Sequence, residues 1–569
     1  MNRRQFITFG HNTTRRPPTQ LGRLAKRNAN LTAQQEASRF LQQATFGPTL
    51  SEINSVTSIG VDAWLEQQFN ATQTSTQRYM EEVIDLVYRL DGRLKYLMPF
   101  NWAWWQSIMT GEDILRQRVA TALTEIFVIS TQSDRLEDLG LVFANYYDML
   151  LKNAFGNFRD LLLDVTLHPA MGHYLSHAGN RKADLATNRF PDENYAREVM
   201  QLFSIGLFEL NADGSRKKDG NGNDIPTYDN ADVKEFAKVF TGLTFAEFDS
   251  NEDISEEIFA GLLIDSHNGI KPLVMYDRFH EPGPKRLLNG TAIPSGQSGM
   301  QDVQDAIGNL FNHGNVGPFM GRLLIQRLVK SNPSPAYIGR VTNAFNDNGS
   351  GIRGDMQAFV KAILTDPEAR DATFIADPTH GMLREPILRY TQLCRSFEAS
   401  NTENLFYNSG AIASSVLGQY PFMSPSVFNF FSPDFTPLGP LEEANLDAPE
   451  FQITTSVTAT KTINFWETAI LETLMELPKG ELPEDAQPDE KMPNLSNARL
   501  DLTPFEGLSV DEMIDRIDLL LTYGSLSDAA RAIIKAAMDG LSNSGAPSSE
   551  VASIGIYLFI SAPDYVILK

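Results

Sequence analysis

The sequence predicts a mainly α protein: a large multi-helical fold with long irregular loops and at most short β-hairpins. Apolar residues recur at helical spacing in one segment after another. Capping residues precede these segments and Gly or Pro follows them, as Asp192 and Gly206 do around residues 193–205. By contrast, only Leu273-Val274-Met275-Tyr276 reads as a strand.

In chain order, Ala33–Ala44 is expected as a helix with Ala37, Phe40, Leu41 and Ala44 on one face, ending at Phe46-Gly47-Pro48. Residues 51–69 and 78–90 continue as amphipathic helices. Residues 98–108 bring Trp102, Trp104 and Trp105 into a core corner, since large aromatics mostly serve burial. A long helix is expected over 114–130, and one or two more over 145–167. Residues 191–206 form the central helix. Residues 211–228, rich in Gly, Asn and Asp, form a hairpin or Ω-loop. Asp229 or Asn230 then caps a helix with Val233, Phe236, Ala237 and Phe240 on one face. Residues 245–294 are the least regular. Helices follow at 306–311, 318–328, 335–345, 356–364 and 383–397. Beyond the Phe- and Pro-rich 421–440 stretch comes another at 455–477. Prolines among acids mark 477–495 as a linker or surface excursion. Helices at 510–522 and 528–538 precede an apolar core helix at 551–560. The expected division is a basic arm or degenerate export signal at 1–32, a helical core at 33–476, the linker at 477–496, and C-terminal helices packed on the core at 497–569.

The chain has 569 residues, of which 42% are hydrophobic and 21% charged, ordinary values for a globular protein with a sizeable core. Its net charge of −23 argues against a nucleic-acid binder, which needs clustered Lys and Arg to neutralise phosphates. The single cysteine, Cys394, excludes an internal disulfide framework and a Cys-based zinc site. No run of about 18 apolar residues occurs, so no membrane span is expected. Up to Gln35 the charged residues are all basic. Arg3-Arg4-Gln5-Phe6-Ile7 is similar to the start of a twin-arginine export signal. The apolar stretch such a signal needs is replaced by Thr8-Phe9-Gly10-His11-Asn12, so a disordered basic arm is the competing reading.

The central helix carries the densest polar chemistry. Tyr195, Val199, Leu202 and Phe203 make its apolar stripe, while Glu193, Arg197 and Gln201 make a second stripe with Asn194 and Glu198 beside it. Glu193, Arg197, Glu198, His280 and Lys285 are expected to converge. They would serve either as a catalytic set that positions an anionic or carbonyl substrate and moves a proton, or as a buried ion network locking helices together. His173 and His177, at i and i+4, would share a helix face as a pair of zinc ligands does, although Tyr174 stands where the H-E-x-x-H pattern has Glu. In Asp219-Gly220-Asn221-Gly222-Asn223-Asp224, oxygen-bearing side chains alternate with glycines as in calcium loops. The position that should carry the closing acid is Asn230, and plain Gly-Asn turn chemistry also accounts for the segment. No G-x-S-x-G elbow, Walker A sequence or dinucleotide fingerprint appears.

Several segments, in order, resemble the DUF1800 family of bacterial proteins. They begin with R-F-L-Q-Q-A-T-F-G-P from Arg39, E-N-Y-A-R-E from Glu193, Thr241-Gly242 and F-H-E-P-G-P-K from Phe279. They continue with I-Q-R-L-V from Ile325, Asn332-Pro333-Ser334-Pro335, D-P-E-A-R from Asp366, Leu383-Arg384-Glu385-Pro386 and P-S-V-F-N-F-F-S-P from Pro425. The resemblance implies an exported protein whose gene neighbour is a DUF1501-type protein, a sulfatase-like family. It implies a fold and a partner rather than a reaction. It also marks a departure. Many members resemble a pattern with two histidines in a W-H-N-H-F-like segment and a further histidine in the turn after E-N-Y-A-R-E. Here the corresponding places are T-E-I-F-V-I-S, from Thr124 to Ser130, and Phe203.

These features favour a non-enzymatic binding or assembly protein of the bacterial envelope or exterior, partnered by a DUF1501-type protein. The alternative is a hydrolase-like enzyme with an acidic cleft on the 193–198 segment. No cofactor is expected; calcium at the 219–224 loop is the alternative left open. Export is expected from the resemblance, while the incomplete signal leaves a cytoplasmic location open.

Overall fold

The computed structural model describes residues 31–82, 97–401, 404, 406, 416–471, 474 and 498–569. The basic arm up to residue 30, the second half of the 78–90 helix and the 477–495 linker lie outside the described residues. The chain is mainly α, with only three two-stranded antiparallel sheets among the described residues.

Helix Ala33–Ala44 forms where expected. Thr32 and Gln35 close a reciprocal capping box at its start, which satisfies two otherwise orphaned backbone N–H groups. The expected 51–69 helix is two, Leu50–Ile59 and Val61–Asn70, separated at Gly60, whose φ of 84° breaks the helical path. Leu97–Thr110 buries Trp104 and Trp105 edge to face, with ring centroids 5.6 Å apart. The expected 114–130 helix stops at Thr124. Its continuation is drawn into tertiary pairing instead, with Phe127 O accepting from the Tyr146 hydroxyl and Thr131 N–H donating to Phe422 O.

The small sheets close loops. Leu243–Thr244 pairs with Val274–Met275, the predicted strand, and Lys285–Arg286 pairs with Ala292–Ile293. Met382–Leu383 pairs with Ile567–Leu568, joining the middle of the chain to its last residues. The first helix is tied to the same region: Ser38 Oγ donates to Leu519 O (2.6 Å) and Arg39 Nε to Lys569 O (2.7 Å). One apolar cluster accordingly runs from Ala37 to Tyr565 and takes in residues of both ends. Gly299–Phe311 starts well before the expected 306, with Ser298 as its N-cap.

Candidate functional site

The central helix is Asn194–Gln201, shorter than the sequence suggests at both ends. Asp192 still accepts from Asn194 N–H (2.7 Å), but Glu193 occupies the cap position. After Gln201 the chain tightens, and Gly206 N–H reaches Met200 O with φ +70°. A Cβ at Gly206 would stand 2.8 Å from the Phe319 ring, so glycine is required there by contact as well as by backbone. Helix Asn194–Gln201 and strand Lys285–Arg286 both pack on helix Asn230–Val239, which Asp229 and Asp232 cap reciprocally.

The five residues expected to converge are sorted into two groups. Glu193 and Arg197 pair with each other at 3.2 Å in a half-buried i, i+4 ion pair. Glu198 is buried on the same helix. Burial, reinforced by the Glu198 charge, pushes the Tyr174 hydroxyl up to about 12. Burial likewise pushes the Tyr228 hydroxyl up to about 12, with Arg197 and Glu198 acting on it in opposite directions. His280 and Lys285 instead meet Asp302, a residue the sequence did not single out. His280 Nε2 lies 2.9 Å and Lys285 Nζ 2.5 Å from the same oxygen, Asp302 Oδ2. Lys285 Nζ also donates to Glu281 O (2.6 Å) and Gly283 O (3.1 Å), and His280 Nδ1 faces Thr241 O at 2.8 Å. His280, Lys285 and Asp302 are 2%, 3% and 1% exposed, so this buried trio ties the 280–285 segment to helix Gly299–Phe311. Gly299 lets the trio close, for a Cβ there would come within 2.9 Å of the His280 ring.

The paired-histidine expectation is corrected. The helix Pro169–Tyr174 ends before His177, and Ser176 takes a φ of +62° that turns the chain inward. His173 Nε2 faces Asp134 O (2.9 Å), whereas His177 Nε2 faces Thr166 O (2.8 Å) with its ring 4.0 Å from that of Tyr195. Burial holds His177 down to about 4, so it is a neutral core histidine that donates to Thr166 O. Among the described residues no three His, Cys, Asp or Glu side chains are grouped so as to hold a metal ion.

The 219–224 loop is the tip of a folded ribbon within residues 207–227. Asp219 Oδ1 accepts from Asn221 N–H and Asn223 N–H (2.8 Å each), and Asn223 Nδ2 donates to Asp219 Oδ2 (3.2 Å). Asp224 is clasped by Arg216 and Lys218. The Asp219 and Asp224 oxygens proposed for calcium thus already serve the turn and two ion pairs, and Asp224 would have to release both cations to coordinate a metal.

A third polar centre escaped the sequence. Glu125 follows helix Ile114–Thr124, and its Oε2 lies 3.2 Å from Arg327 Nε on helix Val316–Leu328. Arg327 also donates to Glu125 O (3.1 Å) and Leu323 O (3.0 Å), and Arg118 Nη2 donates to Arg327 O. Glu385 stands at the start of helix Pro386–Ser396. Ile387 N–H donates to Gln419 Oε1 (3.3 Å), which orients Gln419 Nε2 toward both carboxylates: 3.3 Å to Glu125 Oε1 and a short bond to Glu385 Oε2. Burial first, then the Glu385 charge, drives the Glu125 carboxyl well above its usual range. Burial raises buried Glu450 to about 8. A narrow cleft above Glu125 is lined by Gln419, Ser424, Asn429 and the rings of Tyr420 and Phe422. The motifs I-Q-R-L-V, L-R-E-P and P-S-V-F-N-F-F-S-P supply Arg327, Glu385 and Asn429 to this region. Phe127 packs on Phe203 at 5.5 Å between ring centroids.

The chain is mainly helical, and the charged residues His280, Lys285, Asp302, Glu125 and Arg327 are buried in ion pairs. The chain belongs to the DUF1800 family, described as a protein of unknown function, whose model matches residues 39–567. No curated protein and no solved structure matches it. No helix among the described residues is long and apolar enough to cross a membrane.

Proposed function

We propose that this chain is a non-enzymatic binding and assembly protein of the bacterial envelope or exterior, and that it docks a DUF1501-type protein. The observation that carries this reading is the loop ahead of the central helix, which is pinned yet presents apolar side chains to solvent. Asn180 and Asp192 hydrogen-bond across its base, with Asp192 N–H 3.0 Å from Asn180 Oδ1. Arg181 and Arg189 both hold Glu256 Oε2 at 3.0 Å, and Asp184 and Arg189 exchange backbone bonds. On this fixed frame Leu185 is 82% and Phe190 61% exposed, beside exposed Ile258 and the half-buried Glu193–Arg197 pair. Rigid apolar anchors within a polar rim are what a protein interface uses. The full chain and a DUF1501-type protein from the same genome, mixed at micromolar concentration, are expected to co-elute on size exclusion. The L185D/F190D variant is expected to elute separately with an unchanged melting temperature. Separate elution of the wild type, or co-elution of the variant, sinks the reading.

The rival hydrolase reading separates at Glu198. As a buried structural group, Glu198→Gln is expected to lower stability by about 1–3 kcal/mol while co-elution persists. Loss of a hydrolytic activity with the stability untouched would favour the enzyme instead.

A further inference from the structure

The narrow cleft above Glu125 carries polar groups that the fold does not use. Ser424 Oγ and Asn429 Nδ2 have no hydrogen-bond partner among the described residues, yet both residues line the cleft and are only 2% and 6% exposed. Buried polar atoms in native proteins are nearly always paired, so two unpaired ones in one cleft point to a ligand. Gln419, which lines it too, is already saturated. Its Nε2 serves Glu125 and Glu385, and its Oε1 accepts from Ile387 N–H.

The wall that presents Ser424 is held in place before any ligand arrives. Ser130 Oγ donates to Ser424 O (2.6 Å), Thr131 N–H to Phe422 O (2.8 Å) and Gln132 Nε2 to Met423 O (3.1 Å). Two lining residues, Phe422 and Asn429, take φ of +59° and +66°. A bulky side chain is rarely found there, and such a backbone persists only where its surroundings fix it. Of the lining residues Phe430 alone is not buried, which places the opening beside its ring.

The chemistry of the cleft restricts what enters. Gln419 joins the carboxyl groups of Glu125 and Glu385, a setting that repels an anion. A cation would face the N–H donor of Asn429. A neutral hydroxyl suits every group present, since it accepts from Asn429 Nδ2, donates to a remaining lone pair of Glu125, and pairs in either sense with Ser424 Oγ. The cavity volume is about 10 Å³, near the least that admits one water, so only a group of that size reaches the floor. We propose that this cleft binds a small neutral polyol, one hydroxyl of which enters between Glu125, Ser424 and Asn429 while its carbon chain rests against the Phe430 ring. The site is independent of partner docking, for no lining residue belongs to the loop ahead of the central helix.

The test is saturation-transfer NMR on the full chain with glycerol at millimolar concentration, and with acetate and methylammonium as small charged probes. Glycerol is expected to receive saturation and the two ions to receive none. Ser424→Ala and Asn429→Gly are each expected to lose most of the glycerol signal. Glycine accepts the positive φ at position 429, so that variant removes the amide without straining the backbone. Should one variant fail to fold, the other decides. An absent glycerol signal with the wild type overturns the proposal and leaves the cleft to water. An undiminished signal in a folded variant overturns it as well, and equal transfer to acetate or methylammonium overturns the assignment of a neutral ligand.

Discussion

Asp302→Asn is expected to lower folding stability by about 3–5 kcal/mol, because it leaves the Lys285 ammonium buried beside a neutral amide. The side chain keeps its size, so the loss reports charge rather than a cavity. Lys285 would retain the carbonyls of Glu281 and Gly283, which accept hydrogen bonds but carry no countercharge. The double variant K285M/D302L is expected to recover much of the loss, since a buried ion pair replaced by apolar groups of similar volume is often neutral or better. Urea unfolding midpoints of the two variants measure this directly. A single variant within about 0.5 kcal/mol of wild type would remove the trio from any structural role.

The second large effect is alkaline destabilisation centred on Glu450. Its folded pKa of about 8 lies above the ordinary 4.5, so the folded state holds this proton more tightly than the unfolded state does. Stability from the neutral carboxyl is therefore complete below about pH 4.5, falls as pH rises, and is fully lost above about pH 8. Glu450→Gln stays neutral throughout. It is expected to flatten the fall and to exceed wild type at pH 9 by roughly 3–5 kcal/mol more than at pH 4. Urea midpoints across this range decide the matter; parallel pH curves for the two proteins would refute the assignment.

The helices were largely legible because capping and periodicity are local. Helix Ala33–Ala44 follows from Thr32, Gln35 and the Ala37–Ala44 stripe. Errors arose where long-range contacts override local pattern. The stripe Leu115, Val119, Ala122, Leu123 and Ile126 runs past Thr124, yet Tyr146 and Phe422 claim the backbone that follows. In helix Gly299–Phe311 the apolar periodicity begins only at Ala306, because its first turns carry few apolar residues between Ser298 and Ala306. The site was read in part. His280 and Lys285 are near in sequence and do meet, but their shared Asp302 sits on the later helix Gly299–Phe311 with no motif around it. Glu125, Glu385, Gln419 and Glu450 are too far apart for any spacing rule to unite them. The usable signal was that Arg327, Glu385 and Asn429 each lie within a family segment.

The tie between the first helix and the last residues has a consequence for synthesis. Ser38 and Arg39 find their partners at Leu519 and Lys569, and Met382–Leu383 finds its partner at Ile567–Leu568. Domains commonly fold from the N-terminus as they emerge from the ribosome, but these contacts form only after nearly the whole chain has been translated. Until then Phe40 and Leu41 have no C-terminal surface to cover them, and the loops to be closed are among the longest the chain allows, which slows closure. The first helix can therefore pack early on its near neighbours, as Phe40 does edge to face on Trp64, and completes its packing only when residues 519–569 are present.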